Sequence, residues 1–206
     1  MLAAAVEVVA AGGPAAFSAR SVATASGLPL AAVSYYFPRL DDLLSTALAA
    51  VIAGWVNHGE KVVGAVEAGT AGTAGTAGTV GAAGAAGAGD ELAAATITDA
   101  LLPPGDSTMI RHRYEQLLAA ASYPVAAAAL AGLRPQLRAL VQRVLDNTRT
   151  SSVIGADGLV ALLDGAAVGA ISENYEGSEP AGDLRERIAT MVRSALKSDL
   201  DGGDNS

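Results

Sequence analysis

Between Ser18 and Leu44 stand the side chains whose types and spacing carry interpretable chemistry. Arg20 and Arg39 can make charge-assisted bonds to a phosphate or a base edge. Ser18, Ser34 and Tyr36 carry hydroxyls that can donate to phosphate oxygens. Leu30, Ala31, Ala32 and Tyr35 are clustered, and the alkyl groups among them can meet thymine methyls without offering a hydrogen bond to G or C. Other chemistry is scarce. There is no cysteine, hence no disulfide, thiol nucleophile or cysteine metal site. Two histidines, His58 and His112, supply a metal site or a catalytic triad poorly. No nucleophile–base pair stands at interpretable spacing, and no glycine loop sits between a strand and a helix. The expectation is a binding protein, not an enzyme, with no cofactor and no metal.

Local signals place these residues on short helices. Ser18 suits an N-cap, where its hydroxyl accepts from an unpaired backbone N–H. Val22 and Ala23 form the inner face of a first short helix, and Gly27 supplies the positive φ of a sharp turn. Pro29 can open the next helix, where its missing N–H is no loss. Leu28, Val33 and Phe37 are spaced to share a buried stripe. Pro38 closes that helix, and Asp41 and Asp42 favour the N-terminus of the next through its dipole. Helix, tight turn, short helix is the helix-turn-helix pattern, whose second helix enters the major groove of DNA.

The order Arg20, Val22-Ala23, Gly27, Val33, Tyr35-Tyr36-Phe37, Asp41-Asp42-Leu43-Leu44 resembles the DNA-binding half of a TetR-family transcriptional regulator. The pattern departs from the family at Ser34, where a tyrosine is common, and at Leu40, where a lysine usually holds a phosphate. The resemblance implies that Leu30, Ala31, Ala32 and Tyr35 face base edges and that Arg20 reaches a base or phosphate. Ser18, Ser34, Tyr36 and Arg39 would hold phosphates. It further implies a homodimer, a near-palindromic double-stranded operator, and a small-molecule effector bound among the body helices. The function expected is a repressor whose operator affinity an effector modulates. The alternative is a ligand-binding or scaffold protein of the same fold that has lost specific DNA binding.

Charge motivates that alternative. Net charge is −8 over 206 residues, whereas nucleic-acid binders usually carry a basic footprint. Residues 1–50 hold Arg20 and Arg39 against Glu7, Asp41 and Asp42. In the family basic residues precede the first helix; here that helix begins without them, so either the arm is lacking or the true start lies upstream. No stretch reaches the ~18–20 continuous apolar residues of a membrane span, and no basic region precedes the first apolar run. A cytoplasmic protein without a membrane partner is expected.

The fold class expected is all-α. Residues 1–46 form the three-helix head, with Leu2, Val6 and Val9 as the stripe of its first helix. Residues 47–198 form a helical regulatory and dimerisation body, and 199–206 a disordered tail. One long helix runs from Asp41 to about Val66. The low-complexity stretch from Gly64 to Gly89 is a flexible insertion, because alanine, glycine and threonine bury too little surface to offset ordering entropy. Shorter helices follow over 90–102 and 108–122, then from Pro124, with Pro135 interrupting that segment or beginning a further helix through Thr148. Trp55, His112 and Tyr114 are candidate effector contacts; His58, and the charges of Arg111, Arg113 and Glu115, are expected to face solvent. Two striped helices end the chain, carrying Leu159, Leu162, Leu184, Ile188 and Val192. Gly165 and Gly169 lie four apart, where a second helix could approach closely. These seven residues are the expected dimer contact, as a four-helix bundle across a two-fold axis.

Overall fold

Caps and glycines delimit the first helices in the computed structural model, which describes residues 1–73, 82–102, 107–173 and 181–198. Helix α1, Leu2–Gly12, ends at Gly13, whose φ of 67° turns the chain. After a 3-10 turn at Pro14–Ala16, α2 spans Ala19–Ser26 and opens on a capping box. The Ser18 hydroxyl accepts the Ser21 N–H at 3.0 Å, while the Ser21 hydroxyl accepts the Ser18 N–H at 2.9 Å. Two otherwise orphaned donors are thereby satisfied. Gly27, at φ 67° in the left-handed region, closes α2. Helix α3, Leu30–Tyr36, follows Pro29.

Helix α4 runs from Leu40 to Thr73 with Asp41 and Asp42 in its first turn. Then come α5, Ala82–Leu101, α6, Ser107–Ala120, and α7, Pro124–Thr148. Helices α8, Gly155–Glu173, and α9, Ala181–Ser194, end the helical order. Two three-residue strands, β1 (Thr150–Ser152) and β2 (Leu196–Ser198), pair antiparallel with Ser151 opposite Lys197. The fold is all-α apart from this ribbon. Its first strand is entered through Arg149, a non-glycine residue at φ 52°.

Three expectations are corrected. The stretch 64–89 is not wholly an insertion: α4 continues to Thr73 and α5 begins at Ala82, because alanine's helix propensity offsets the cost of ~1 kcal/mol per glycine. Residues 74–81 and the tail 199–206 lie outside the described residues. Pro135 does not interrupt α7, which is continuous through it. In α1 the buried residues are Ala4, Ala5 and Val9, while Leu2 is exposed.

Contacts divide the chain into two units, Met1–Val56 with Thr108–Arg134, and Asn57–Ser107 with Pro135–Ser206. The first therefore joins α6 and the start of α7 to the head, a different division from 1–46 and 47–198. Its core holds Val9, Val22, Val33, Leu43, Leu48 and Ile110, all buried. Each such side chain contributes roughly 1.5–3 kcal/mol by leaving water. The α4 stretch Leu40–Gly69 has the length and hydropathy of a membrane span. Leu43, Leu44, Leu48 and Ile52 within it are nevertheless buried in this core.

In the second unit α5 packs against α9 and α8, around Ile97, Leu101, Leu159, Leu163 and Ile188. Gly59 of α4 sits close to its neighbours there: a Cβ would stand 2.6 Å from Leu140 Cδ1 and 3.1 Å from the Ala100 carbonyl oxygen, so both would have to give. His58 is not left to solvent, since its Nε2 lies 2.9 Å from the Asp99 carbonyl oxygen.

Arg143 of α7 grips two α4 carboxylates. It donates to Glu60 at 2.5 Å, and through Nε and a terminal nitrogen to both oxygens of Glu67, at 3.0 and 2.8 Å. These hydrogen bonds hold the Glu67 carboxyl below the usual carboxylate range, against the opposing effect of desolvation. They raise the Arg143 pKa. Because Glu67's folded pKa is depressed, its contribution is present above the unfolded value near 4.5 and lost as pH falls through the lower folded value. The side chains are 39% and 37% exposed, so screening limits the pair to no more than about 1 kcal/mol. Arg143→Met should lower stability by that order at pH 7 and flatten the acid limb of stability against pH. Urea melts between pH 3 and 7 measure both.

Candidate functional site

The head presents α3 by burying one residue and exposing its neighbours. Val33 is fully buried, whereas Leu30, Ala31, Ser34, Tyr35 and Tyr36 are exposed and Ala32 is half-buried. Leu30, Ala31, Ser34 and Tyr35 thus share the open side of a helix held by Val33. The Tyr35 and Tyr36 rings meet edge to face, their centroids 5.2 Å apart. Leu28 does not join the buried stripe expected of it; it is exposed, and Phe37 is half-buried. The cause is the turn at Gly27, which carries Leu28 outside both helices.

The polar residues of the head divide into two kinds. Arg20 on α2 is exposed. Arg39 is exposed and lies 3.8 Å from the Asp42 carboxylate, an exposed pairing that a phosphate can displace at small cost. Ser18, exposed, has a structural task as well, because its hydroxyl closes the capping box of α2. Leu40, at the family's usual lysine position, is half-buried at the first residue of α4.

The three candidate effector contacts, Trp55, His112 and Tyr114, fall in the first unit, and all are half-buried. The structure corrects one neighbour: Arg113 does not face solvent. It is 3% exposed, and its guanidinium lies over the Trp55 ring, 5.0 Å from the centroid. Arg111 is half-buried and Glu115 exposed. His112 Nδ1 is shielded from water and has no hydrogen-bond partner among the described residues.

Gln116, also buried, donates its amide N–H to the Val9 carbonyl at 2.7 Å. That oxygen also accepts the Gly13 N–H at 3.0 Å. Close by, a Cβ on Gly13 would come within 2.8 Å of Glu115 Oε2 and 3.6 Å of the His112 ring. Sequence reasoning missed Arg113 and Gln116 because their charge and polarity suggested solvent. The signal was in the spacing: Ile110, Arg113, Gln116 and Ala120 recur at helical period and all are buried.

Also in the first unit, a cleft of about 350 Å³ lies between the start of α4, at Arg39, Asp41 and Asp42, and the α6–α7 corner at Ser122, Tyr123 and Val125. Trp55, His112 and Tyr114 do not line it. Among the described residues no three His, Asp or Glu side chains converge to hold a metal ion.

The residues expected to hold a partner copy separate by burial. Leu159, Leu184, Ile188 and Val192 are buried inside their own unit, which corrects their assignment, because a side chain enclosed by its own chain has no surface left for a second copy. Leu162 and Gly169 are half-buried, and Gly165 is exposed. Val168 and Met191 are exposed on α8 and α9. A Cβ at Gly165 or Gly169 would meet nothing within 4 Å.

Residues 88–198 match the family model described as "Tetracyclin repressor-like, C-terminal domain". Solved structures of the multidrug binding protein EbrR resemble the chain along most of its length. Its complex with proflavin superposes with a TM-score of 0.54 at 27% identity, over 93% of this chain and 96% of that one. The ethidium complex gives 0.51 at 27% identity, over 93% and 95%. The malachite green complex, at 24% identity and 0.52 over 95% of both chains, shows likeness of fold. No curated protein sequence matches the chain.

The capping role of Ser18 is open to test. Ser18→Ala should lower stability by about 1 kcal/mol, and Ser18→Gly by a few tenths. Thermal melts of the two variants give the comparison, and equal losses would remove the cap assignment.

Proposed function

Because the chain belongs to the TetR family of regulators, we propose that it is a homodimeric, DNA-binding repressor whose operator affinity falls when a small aromatic cation binds. The observation that carries this reading is the head. A capped α2, a left-handed glycine and a seven-residue α3 place Leu30, Ala31, Ser34 and Tyr35 on one open face. A short helix so presented is the element that enters a major groove, and a two-fold dimer presents two of them to a near-palindrome. The effector class is taken from EbrR, whose complexes hold proflavin, ethidium and malachite green, all aromatic cations. A regulator of this kind works in the cytoplasm, where the chromosome is, and does its work by binding, not by catalysis.

The scarcity of positive charge on the head favours a second reading, a ligand-binding protein of this family without operator recognition. The two are separated by fluorescence polarisation with the DNA upstream of the protein's own gene. With Arg20 and Arg39 as the head's basic groups, a dimer neutralises about four phosphates, so log affinity should fall with log salt at a slope of roughly −3 to −4. Arg20→Ala should cost roughly 1–3 kcal/mol and relax preference at one base per half-site. Arg39→Ala should weaken all sequences alike and flatten the slope, while Leu40→Lys should tighten binding without changing the preferred sequence. No preference for the upstream DNA at low salt would leave the second reading standing.

The dimer contact is proposed on the exposed side of α8 and α9, at Gly165, Val168, Gly169 and Met191. Light scattering at micromolar concentration should give the mass of a dimer. Gly165→Leu, whose Cβ would meet nothing within 4 Å among the described residues, should shift that mass toward the monomer while leaving the helical spectrum intact.

A further inference from the structure

We infer that the open face of α3 selects DNA by the C5-methyl groups of its pyrimidines, so that removing that methyl from thymine weakens binding and adding it to cytosine at the same position strengthens binding. The inference rests on the DNA-binding reading above and adds what that face recognises. Helix α3 has the sequence LAAVSYY, with no amide, acidic or basic side chain. The bidentate contacts by which a helix reads guanine or adenine need Arg, Lys, Asn or Gln, and the amino group of cytosine needs Asp or Glu. None is supplied. The open side offers Leu30, 47% exposed, Ala31, and Tyr35, 79% exposed. The hydroxyls of Ser34 and Tyr35 can each donate or accept, so they fit any base edge and choose none.

An alkyl face laid in the major groove finds one apolar group there, the methyl on a pyrimidine C5. The Tyr35 ring adds to that face, and the edge-to-face contact with Tyr36 limits the side-chain freedom it loses on binding. Thymine and uracil differ by the methyl alone, as do 5-methylcytosine and cytosine, so each pair of bases isolates it. A methyl removed from water is worth about what a buried methylene is, roughly fourfold in affinity. A two-fold operator meets each contact twice, which makes the effect about fifteenfold for a symmetric pair of positions.

The test changes the DNA and leaves the full chain as it is, so it needs no variant to fold. Fluorescence polarisation compares the upstream DNA with the same duplex carrying deoxyuridine for every thymidine. The uracil duplex should bind roughly tenfold or more weakly, with the same salt slope, because its phosphates are unchanged. Cytosine is then placed at the symmetric pair where uracil costs most, and 5-methylcytosine there should bind about fivefold or more tightly than cytosine. Leu30→Ala, a change at an exposed position, should shrink the uracil penalty at one symmetric pair about threefold. That shrinkage separates contact with the methyl from an effect of the methyl on DNA shape. A uracil duplex bound as tightly as the thymine one, a 5-methylcytosine duplex bound no better than the cytosine one, or an unchanged uracil penalty at every pair in Leu30→Ala overturns the inference. In each of those cases preferential binding of the upstream DNA leaves the repressor reading standing. If the chain prefers the upstream DNA in no form, the proposed function fails and takes the inference with it.

Discussion

One buried hydrogen bond fixes the base on which the head is built. Gln116 donates to the Val9 carbonyl at 2.7 Å, and both residues are buried. The oxygen belongs to the last turn of α1, where carbonyls lack partners within the helix. Without Gln116 that turn would keep the Gly13 N–H alone, and a buried amide on α6 would lose its acceptor, a loss of ~1–3 kcal/mol. Helix α1 in turn packs on α2, and α2 on α3. The open face of α3 is therefore referred, helix by helix, to a bond made by α6. Glycine at position 13 belongs to the same joint, because its left-handed backbone and missing side chain let Glu115 and His112 come close.

A second constraint is the scarcity of bulk. Half the composition is hydrophobic but 4% is aromatic, so the cores are made of leucine, valine and isoleucine laid against alanine. Ala4, Ala5 and Ala47 are buried in the first unit, Ala93 and Ala94 in the second. Small residues let helix axes approach, which raises contact density where side-chain volume is low. Gly59 is one instance, with the Leu140 side chain and the Ala100 carbonyl oxygen at 2.6 and 3.1 Å from where a Cβ would stand. In such a setting an exposed ring is conspicuous. Tyr35 and Tyr36 stand out on the head, and Trp55 stands half-buried beneath a guanidinium.

The head was legible because its signals are local. Ser18, Gly27 and Pro29 act within one turn of where they stand, so cap, turn and helix start could be placed from the chain alone. The spacing of Val22 and Val33 marked the inward side correctly. Elsewhere the deciding contacts are distant. Nothing beside Arg113 in the chain announces Trp55, 58 positions earlier, so charge suggested solvent where helical period suggested core. Leu159, Leu184, Ile188 and Val192 were recognised as apolar and striped, but a stripe does not say whether its cover comes from the same chain or another. Here the same chain supplies it. The β1–β2 ribbon pairs residues about 46 apart over three positions, too short for an alternation to register. Pro135 illustrates a rule overridden, since the lost donor and ring clash expected of it do not break α7.

The scarcity of positive charge on the head, Arg20 and Arg39 against Glu7, Asp41 and Asp42, has a consequence for control under the proposed function. An effector can shift a binding equilibrium only by its differential affinity for the two states, commonly 1–3 kcal/mol. A head held to DNA by many phosphates would need more than that to let go. On the proposed reading, a head with Arg20 and Arg39 alone draws less of its affinity from counterion release, and a larger share from the fit of Leu30, Ala31 and Tyr35 in the groove. Fit depends on the spacing of two heads and is sensitive to small displacements, whereas charge attraction falls slowly with distance. On the proposed reading, adding positive charge to the head strengthens binding through phosphates and lowers the share of affinity that depends on fit.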